Sequence, residues 1–506
     1  MKRSTFVLVV FVVFSLSALA QQRSAKRGIG WDEKTQSISE TTVSKMAPGI
    51  SWIYNWGITP KSPSLFSTES DMVFVPMCWN AISNSNETVL RNYLSDHPEV
   101  KILLGFNEPN FSAQANMTPQ QAVNAWPKLE QIAADYGLEL VAPALNFSGE
   151  YVGGRTWNPY EWYDEFFRLY PNAKVDYLAL HCYMNWYSST VWFATEYFYK
   201  DLYDSQKTDV YGRYPNIVAY LDNYKAQHGH FPKMYLTEFC AWEGNKDGFV
   251  LNVDSQIDQM TQKIQLLEKS DLVAGYAWFM ANATASQYPY MSVFQTNSST
   301  SELSTLGKVY VHMSAFDTSK YYTVGENILA KDYVDASRDQ QQPKVRPNSE
   351  TGSDIPLQVE WVGSSWMGYQ VDIPTGGSYE MRLHMKSSAA SSYRLYRNAT
   401  GTSNRLQNTT ALPSTDGQWK DVTTTVTLPA GQYTLLLYNM STVSVLLSEL
   451  QLQSTTGIAE VIDHSPLTID HCYDLQGRQI VNGKLSNGRL PKGIYIVNGR
   501  KVVIRH

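Results

Sequence analysis

The sequence predicts an α/β chain: a (β/α)8 TIM barrel, followed by an antiparallel β-sandwich and a small all-β C-terminal tail. Three observations lead there. Eight short apolar runs recur between residues 27 and 279 with helical or loop material between them, as in parallel strands joined by crossovers. From about Tyr321 the chain becomes rich in Ser, Thr and Gly and breaks into short alternating segments with turn residues between them. Beyond residue 460 only a few short strand patterns remain, too small for a core of much depth. At 506 residues the chain has room for two or three such units.

The barrel runs are Arg27 to Trp31, Ile50 to Tyr54, Met72 to Met77, Lys101 to Phe106, Leu138 to Ala144, Val175 to His181, Met234 to Glu238 and Leu272 to Phe279. Between the fourth and fifth, Thr118-Pro119 opens a helix through Gln120 to Tyr136, with Thr as N-cap and Pro in the first turn. These boundaries give a barrel over residues 26–318 and a sandwich over 321–455. The sandwich segments are Leu357 to Val362, Gly368 to Ile373, Ser378 to Met385, Tyr393 to Arg397, Trp419 to Leu428, Gln432 to Met440 and Val443 to Leu452. The tail, 460–506, carries Asn-Gly hairpin signals at Asn482-Gly483 and Asn498-Gly499. Because the helical pattern stops near Met313, residues 26–320 are expected to fold alone.

Residues 1–20 have a basic start at Lys2-Arg3, an apolar run from Phe6 to Leu19, and Ala18-Leu19-Ala20 before Gln21. That is the pattern of a cleaved secretory signal, and the run is shorter than the ~20 residues that span a bilayer. An exported protein is expected, secreted or held at the cell surface. No later segment reads as a membrane span. Cys78, Cys182, Cys240 and Cys472 are too scattered for a disulfide scaffold or a zinc site. Cys182 and Cys240 fall on neighbouring strands, but side-chain parity sets them on different faces, so buried thiols are expected.

Charged residues are only 17% of the chain and aromatic residues 13%, with a net charge of −6. Without a basic cluster there is no electrostatic footing for nucleic acid or anionic lipid. Such a chain presents flat rings more readily than charge.

The chemistry lies at the strand ends. Lys101 to Phe106 runs into Asn107-Glu108-Pro109, and Met234 to Thr237 runs into Glu238, so two carboxylates stand at the carboxyl ends of strands four and seven. Barrel enzymes keep their chemistry there. An Asn-Glu-Pro triplet by itself suits a solvated turn. Two such carboxylates facing each other are the apparatus for glycoside hydrolysis, one protonated to release the leaving oxygen and one ionised to meet the sugar carbon. Glu108 is read as the acid/base, with Asn107 placed for the sugar 2-hydroxyl, and Glu238 as the nucleophile.

His181 and Tyr183 share a face at the end of strand six, within reach of Glu238 or substrate. Trp278 is placed to floor the site at the end of strand eight. Tyr54, Asn55 and Trp56 follow strand two, Trp79 follows strand three and Trp242 follows Glu238; such rings suit the C–H faces of sugars. No metal or cofactor is expected.

Ser51 to Gly57, Phe74 to Trp79, Gly105 to Asn110 and Leu236 to Phe239 together resemble the barrel of glycoside hydrolase family 128. The resemblance implies a retaining endo-β-1,3-glucanase acting on β-glucan poly- or oligosaccharide, with Glu108 as acid/base and Glu238 as nucleophile. Hydrolysis of another β-linked glucan, or non-catalytic glycan binding at the cell surface, are the competing readings. Val359 to Trp361 and Ser365 to Val371 resemble a family 6 carbohydrate-binding module. The tail resembles the C-terminal sorting domain of the type IX secretion system, which implies that secretion machinery is a partner. A monomer is expected.

Overall fold

A computed structural model describes residues 23–67, 72–146, 150–183, 217–230, 232–242, 245, 249–284, 290–295, 301–338, 341–455, 471–473, 479–482, 493–497 and 500–504. The expected signal segment, residues 1–20, lies outside the described residues.

All eight expected barrel runs form strands: β1 Arg27–Gly30, β2 Trp52–Tyr54, β3 Val73–Phe74, β4 Ile102–Leu104, β5 Glu139–Val141, β6 Tyr177–Cys182, β7 Lys233–Phe239 and β8 Val273–Trp278. They form one parallel sheet in the order β3-β2-β1-β8-β7-β6-β5-β4. Its two edges meet at a parallel bridge, Met77 to Leu104, where Cys78 N–H also donates to the Leu104 carbonyl at 2.9 Å. This is a (β/α)8-like domain, with β4 and β7 across the ring from each other. The helices are α1 Glu40–Met46, α2 Asn84–Asp96, α3 Pro119–Tyr136, α4 Pro159–Leu169, α5 Ile217–His228, α6 Val253–Lys269 and α7 Thr305–His312. The expected α3 start holds: Thr118 caps it in a reciprocal pair with Gln121, and Gly137 ends it in the left-handed region at φ 65°.

Side-chain alternation divides the barrel core in two. Trp52, Tyr54, Val75, Met77, Leu104, Val141, Ala144, Ala179, Tyr235 and Ala277 form a cluster of their own inside the ring. Trp52 fits there because position 28 is Gly; a Cβ at Gly28 would stand 2.1 Å from the indole. The residues on the other faces, Tyr276 and Trp278 among them, join a second cluster under the helices.

The C-terminal segments pair as two mostly antiparallel six-stranded sheets, an arrangement consistent with a β-sandwich. One contains Trp366–Ile373, Gly431–Asn439 and Ser391–Arg397; the other contains Leu357–Trp361, Val445–Ser454, Gly377–Lys386 and Lys420–Leu428. In the tail, Val497 pairs with Arg500; the expected Asn498-Gly499 turn lies outside the described residues. The hairpin expected at Asn482-Gly483 lies partly outside the described residues. The strand ending at Asn482 pairs back onto His471–Tyr473, and the next strand joins that strand's other edge.

The two main units share one core. Every residue of α6 from Gln256 to Leu267 is buried, polar ones included. On the sandwich side Arg346 Nη1 reaches Asp258 at 2.7 Å, Gln342 donates to the Asp258 carbonyl at 3.0 Å, and Asp335 accepts from Gln265 at 2.7 Å and pairs with Lys269 at 2.8 Å. The helix is thus an interior element, enclosed by the C-terminal segments that pack on it. This argues against independent folding of residues 26–320.

Cys78, Cys182 and Cys240 are buried and none forms a disulfide. The parity argument that separated Cys182 from Cys240 does not hold: both sit in the outer cluster, Cys240 lying just beyond the end of β7 at Phe239, where strand alternation no longer applies.

Candidate active site

The chain leaves β4 through Gly105-Phe106-Asn107 and stays in the ladder: Asn107 bridges Ala144, and Glu108 N–H donates to the Ala144 carbonyl at 2.7 Å. Glu108 then adopts φ 44°, left-handed for a residue with a Cβ, a conformation that surrounding bonds must hold. Glu238 lies within β7. The irregularity between Leu180 and His181 brings His181 of β6 level with it.

The outcome is a compact constellation. His181 is wholly buried, with Nδ1 2.7 Å from Glu108 Oε1 and 3.3 Å from Glu238 Oε2, and Nε2 3.0 Å from Thr237 Oγ1. Glu238 Oε1 accepts from the Trp56 indole at 2.7 Å and from the Tyr54 hydroxyl at 3.4 Å, and Oε2 accepts from the Tyr183 hydroxyl. Glu108 Oε1 also accepts from Asn146 Nδ2 at 3.0 Å.

Burial raises the Glu238 carboxyl above its ordinary range; His181 opposes this, the Glu108 charge adds to it, and the Tyr183 and Trp56 donors pull it back. Burial disfavours charge on His181, but Glu238 and Glu108 outweigh it and its basicity is raised. Burial and the Glu238 charge hold the Tyr54 and Tyr183 hydroxyls protonated far above their ordinary range, so both remain donors.

One oxygen each from Glu108 and Glu238 and one ring nitrogen of His181 lie within 4.8 Å of one another. Those atoms match a metal-binding set in kind. The indole, amide and phenol hydrogens aimed at the same oxygens instead match a cluster that holds and shares protons.

Above the pair opens a cleft of about 810 Å3 lined by Asn55, Trp56, Trp79, Asn107, Glu108, Phe111, Gln114, Asn146, Tyr183, Glu238, Trp242, Phe279, Met280, Asp32 and Lys34. Of the expected residues, Glu108, Glu238, Asn107, Asn55, Trp56, Trp79, Tyr183 and Trp242 therefore meet in it. Asn107 is buried; its Nδ2 donates to Gln114 at 3.2 Å, and its Oδ1 is buried without a hydrogen-bond partner among the described residues. Trp242 is 41% exposed at the rim.

Three expectations need correction. Tyr54 does not line the cleft and acts on it through Glu238; His181 does not line it either, but reaches Glu238, one of the two partners expected for it. Asn55 reaches the cleft, but its amide is engaged in its own loop, with Nδ2 donating to Glu33 Oε2 at 2.6 Å and to the Thr59 carbonyl at 3.0 Å, and Oδ1 accepting from Gly57 N–H. Trp278 is fully buried outside the ring, packed on Phe239 and donating to the Met291 carbonyl at 2.8 Å. Alternation puts Ala277 inside the ring and Trp278 outside it, and the ring that reaches the cleft is Phe279, against Trp56, Tyr183 and Trp242. Asn146 and Phe279 were missed. The available signal was position: Phe279 directly follows β8, and Asn146 directly follows the bridges at Ala144 and Leu145 that continue the line of β5.

Residues 28–310 match the profile of the family described as Glycosyl hydrolase catalytic core, a span that holds both carboxylates. The chain belongs to that family. It is a glycoside hydrolase. The enzyme is 26% identical over 297 residues to Alkali-sensitive linkage protein 1 of Schizosaccharomyces pombe, a similarity that spans 57% of this chain and 44% of that protein. Among solved structures it is similar to a glycoside hydrolase family 128 (subgroup II) endo-β-1,3-glucanase from Pseudomonas viridiflava, at 29% identity over 57% of this chain and 98% of that one, with a TM-score of 0.44. It is also similar to a subgroup I endo-β-1,3-glucanase from Amycolatopsis mediterranei in complex with laminaritriose, at 22% identity over 57% of this chain and 99% of that one, with a TM-score of 0.40. A subgroup V exo-β-1,3-glucanase from Cryptococcus neoformans matches at 25% identity over 57% of this chain and 98% of that one, with a TM-score of 0.39.

Proposed function

We propose that this hydrolase cleaves β-1,3-glucan with retention of configuration, Glu238 serving as nucleophile and Glu108 as general acid/base. The observation that carries the reading is the shared embrace of His181: oxygens of the two carboxylates approach within 4.8 Å. That favours the ≈ 5–5.5 Å spacing of retaining enzymes over the ≈ 6.5–9.5 Å that accommodates a water in inverting ones. The donor pattern supports the division of roles. Glu238 is surrounded by hydrogens that stabilise an anion, whereas Glu108 has one oxygen, Oε2, with no protein hydrogen bond among the described residues.

In the first step the Glu108 proton passes to the glycosidic oxygen as its bond to the anomeric carbon breaks and a Glu238 oxygen bonds that carbon. In the second, water attacks the same carbon, Glu108 takes its proton and Glu238 leaves. The buried, unpartnered Asn107 Oδ1 suits a sugar hydroxyl in this step.

The cleft's aromatic walls and open form suit a neutral polysaccharide. The β-1,3 linkage rests on the strand-end motifs that resemble family 128. We extend the proposal to the flanks: export through the N-terminal segment, glycan retention by the C-terminal sheets and passage through a type IX route by the tail.

Release of reducing ends from β-1,3-, β-1,4- and β-1,6-glucans tests the linkage, with β-1,3-glucan expected to be cut fastest. Fresh product should be the β-anomer by proton NMR. An α-anomer would replace the nucleophile reading with an inverting one.

A further inference from the structure

Asn110, immediately beyond Pro109, is fully buried, and its side chain straddles the backbone of Asn146. Its Oδ1 accepts from Asn146 N–H at 3.0 Å and its Nδ2 donates to the Asn146 carbonyl at 2.8 Å, with a further contact to the Trp157 carbonyl at 3.4 Å. So clamped, Asn146 sends its own Nδ2 to Glu108 Oε1 at 3.0 Å, the oxygen that His181 Nδ1 meets at 2.7 Å. Two donors converge on one oxygen of the carboxyl, and the other is left toward the cleft.

We propose that Asn146, held by Asn110, is a positioning residue that selects which oxygen of Glu108 carries the catalytic proton. With Nδ1 protonated, His181 donates to Oε1 while its Nε2 accepts from the Thr237 hydroxyl, so Oε1 is an acceptor twice over and the proton resides on Oε2. The strained φ of 44° at Glu108 gives this clamp a purpose. Glu108 stands at the last rung of the ladder that continues β4, where the backbone turns left-handed, so side-chain partners must fix the orientation of its carboxyl. The inference rests on the reading of Glu108 as acid/base.

The test compares a β-1,3-gluco-oligosaccharide with a dinitrophenyl β-laminaribioside, whose leaving group needs no proton. A general acid contributes ~10²–10⁴-fold, and Asn146→Ala should forfeit about tenfold or more of that in kcat on the oligosaccharide while sparing the first step on the aryl substrate. Asn110→Ala should show the same split, smaller.

The basic limb of kcat/KM should also move to higher pH, since a donor to the ionised carboxylate is gone. The titratable groups facing Glu108 are His181 of β6 and Glu238 of β7, with Tyr183 and Tyr54 bearing on Glu238, and these remain in both variants. Equal losses on both substrates with an unmoved limb would reduce Asn146 to a structural role and overturn the proposal, as would unchanged kinetics. Glu108→Gln run alongside separates the two ideas. If that variant shows no split between substrates, the acid/base reading fails; if it does and Asn146→Ala does not, only the positioning proposal fails.

Discussion

The indole N–H of Trp56 donates to Glu238 Oε1 at 2.7 Å, although Trp56 lies two residues beyond β2 at φ 59° and Glu238 lies in β7, on a strand that does not pair with β2. The ring is held edge-on to Tyr54 and Phe279, at centroid distances of 5.0 and 5.7 Å. It fits because position 30 is Gly, where a Cβ would stand 2.9 Å from the indole. One side chain therefore forms part of the cleft wall and stabilises the anion beneath it.

Trp56→Phe keeps a ring and removes that donor. A hydrogen bond to a charged group contributes about 1.5–3 kcal/mol, so kcat/KM should fall about ten- to a hundredfold. Trp56 is among the groups pulling the raised Glu238 carboxyl back down. Its loss should move the acidic limb of the kcat/KM profile to higher pH, and an unmoved limb would count against an ionised Glu238 as the reacting form.

Glu238→Gln should abolish most turnover and alter how stability depends on pH. Because the folded carboxyl titrates above its unfolded value of 4.5, its favourable contribution is complete below that pH and is lost as pH rises through the folded value. The Tm of the variant minus that of the wild type should therefore increase as pH is raised from about 4.5 through neutrality. Differential scanning fluorimetry across that range reads it, and a flat difference would mean that Glu238 is not raised by burial.

Trp278 and Phe279 are neighbours with opposite assignments. Trp278→Ala empties a fully buried site and should cost about 3–5 kcal/mol in denaturant unfolding. Phe279→Ala should leave stability near wild type and raise KM for oligosaccharides, because its ring faces the cleft. The reverse pattern would restore Trp278 as the floor of the site.

Truncation after residue 320 should lower Tm and also lower activity on short soluble glucans. It strips the partners of Asp258, Gln265 and Lys269 from α6. The same helix holds the loop after Glu238, through Gln256 paired to both the N–H and the carbonyl of Ala241 at 2.9 and 3.1 Å. A truncated chain with wild-type Tm and turnover would show that the shared core is dispensable.

Much of the fold was legible because its signals are local. Apolar runs of strand length, a Thr-Pro helix start and a carboxylate at the end of a run each depend on a few adjacent residues, so eight parallel strands and the two glutamates could be read directly. The site around the glutamates was less legible. Trp278 and Phe279 close the same run and only the pleat decides which faces inward, and the burial of the polar residues along α6 depends on the C-terminal sheets that pack on it.

Sequence by itself determined the strand count, the placement of Glu108 and Glu238 at facing strand ends, and the supply of aromatic rings beside them. Tertiary structure alone decided that His181 stands between the two carboxylates, that Trp56 and Asn146 supply their other donors, and that α6 is enclosed by the C-terminal sheets. The reason is geometric. Alternation along a strand sets which face a side chain takes, but its neighbours across the ring depend on interstrand register, and one irregularity at Leu180–His181 resets that register where the chemistry lies.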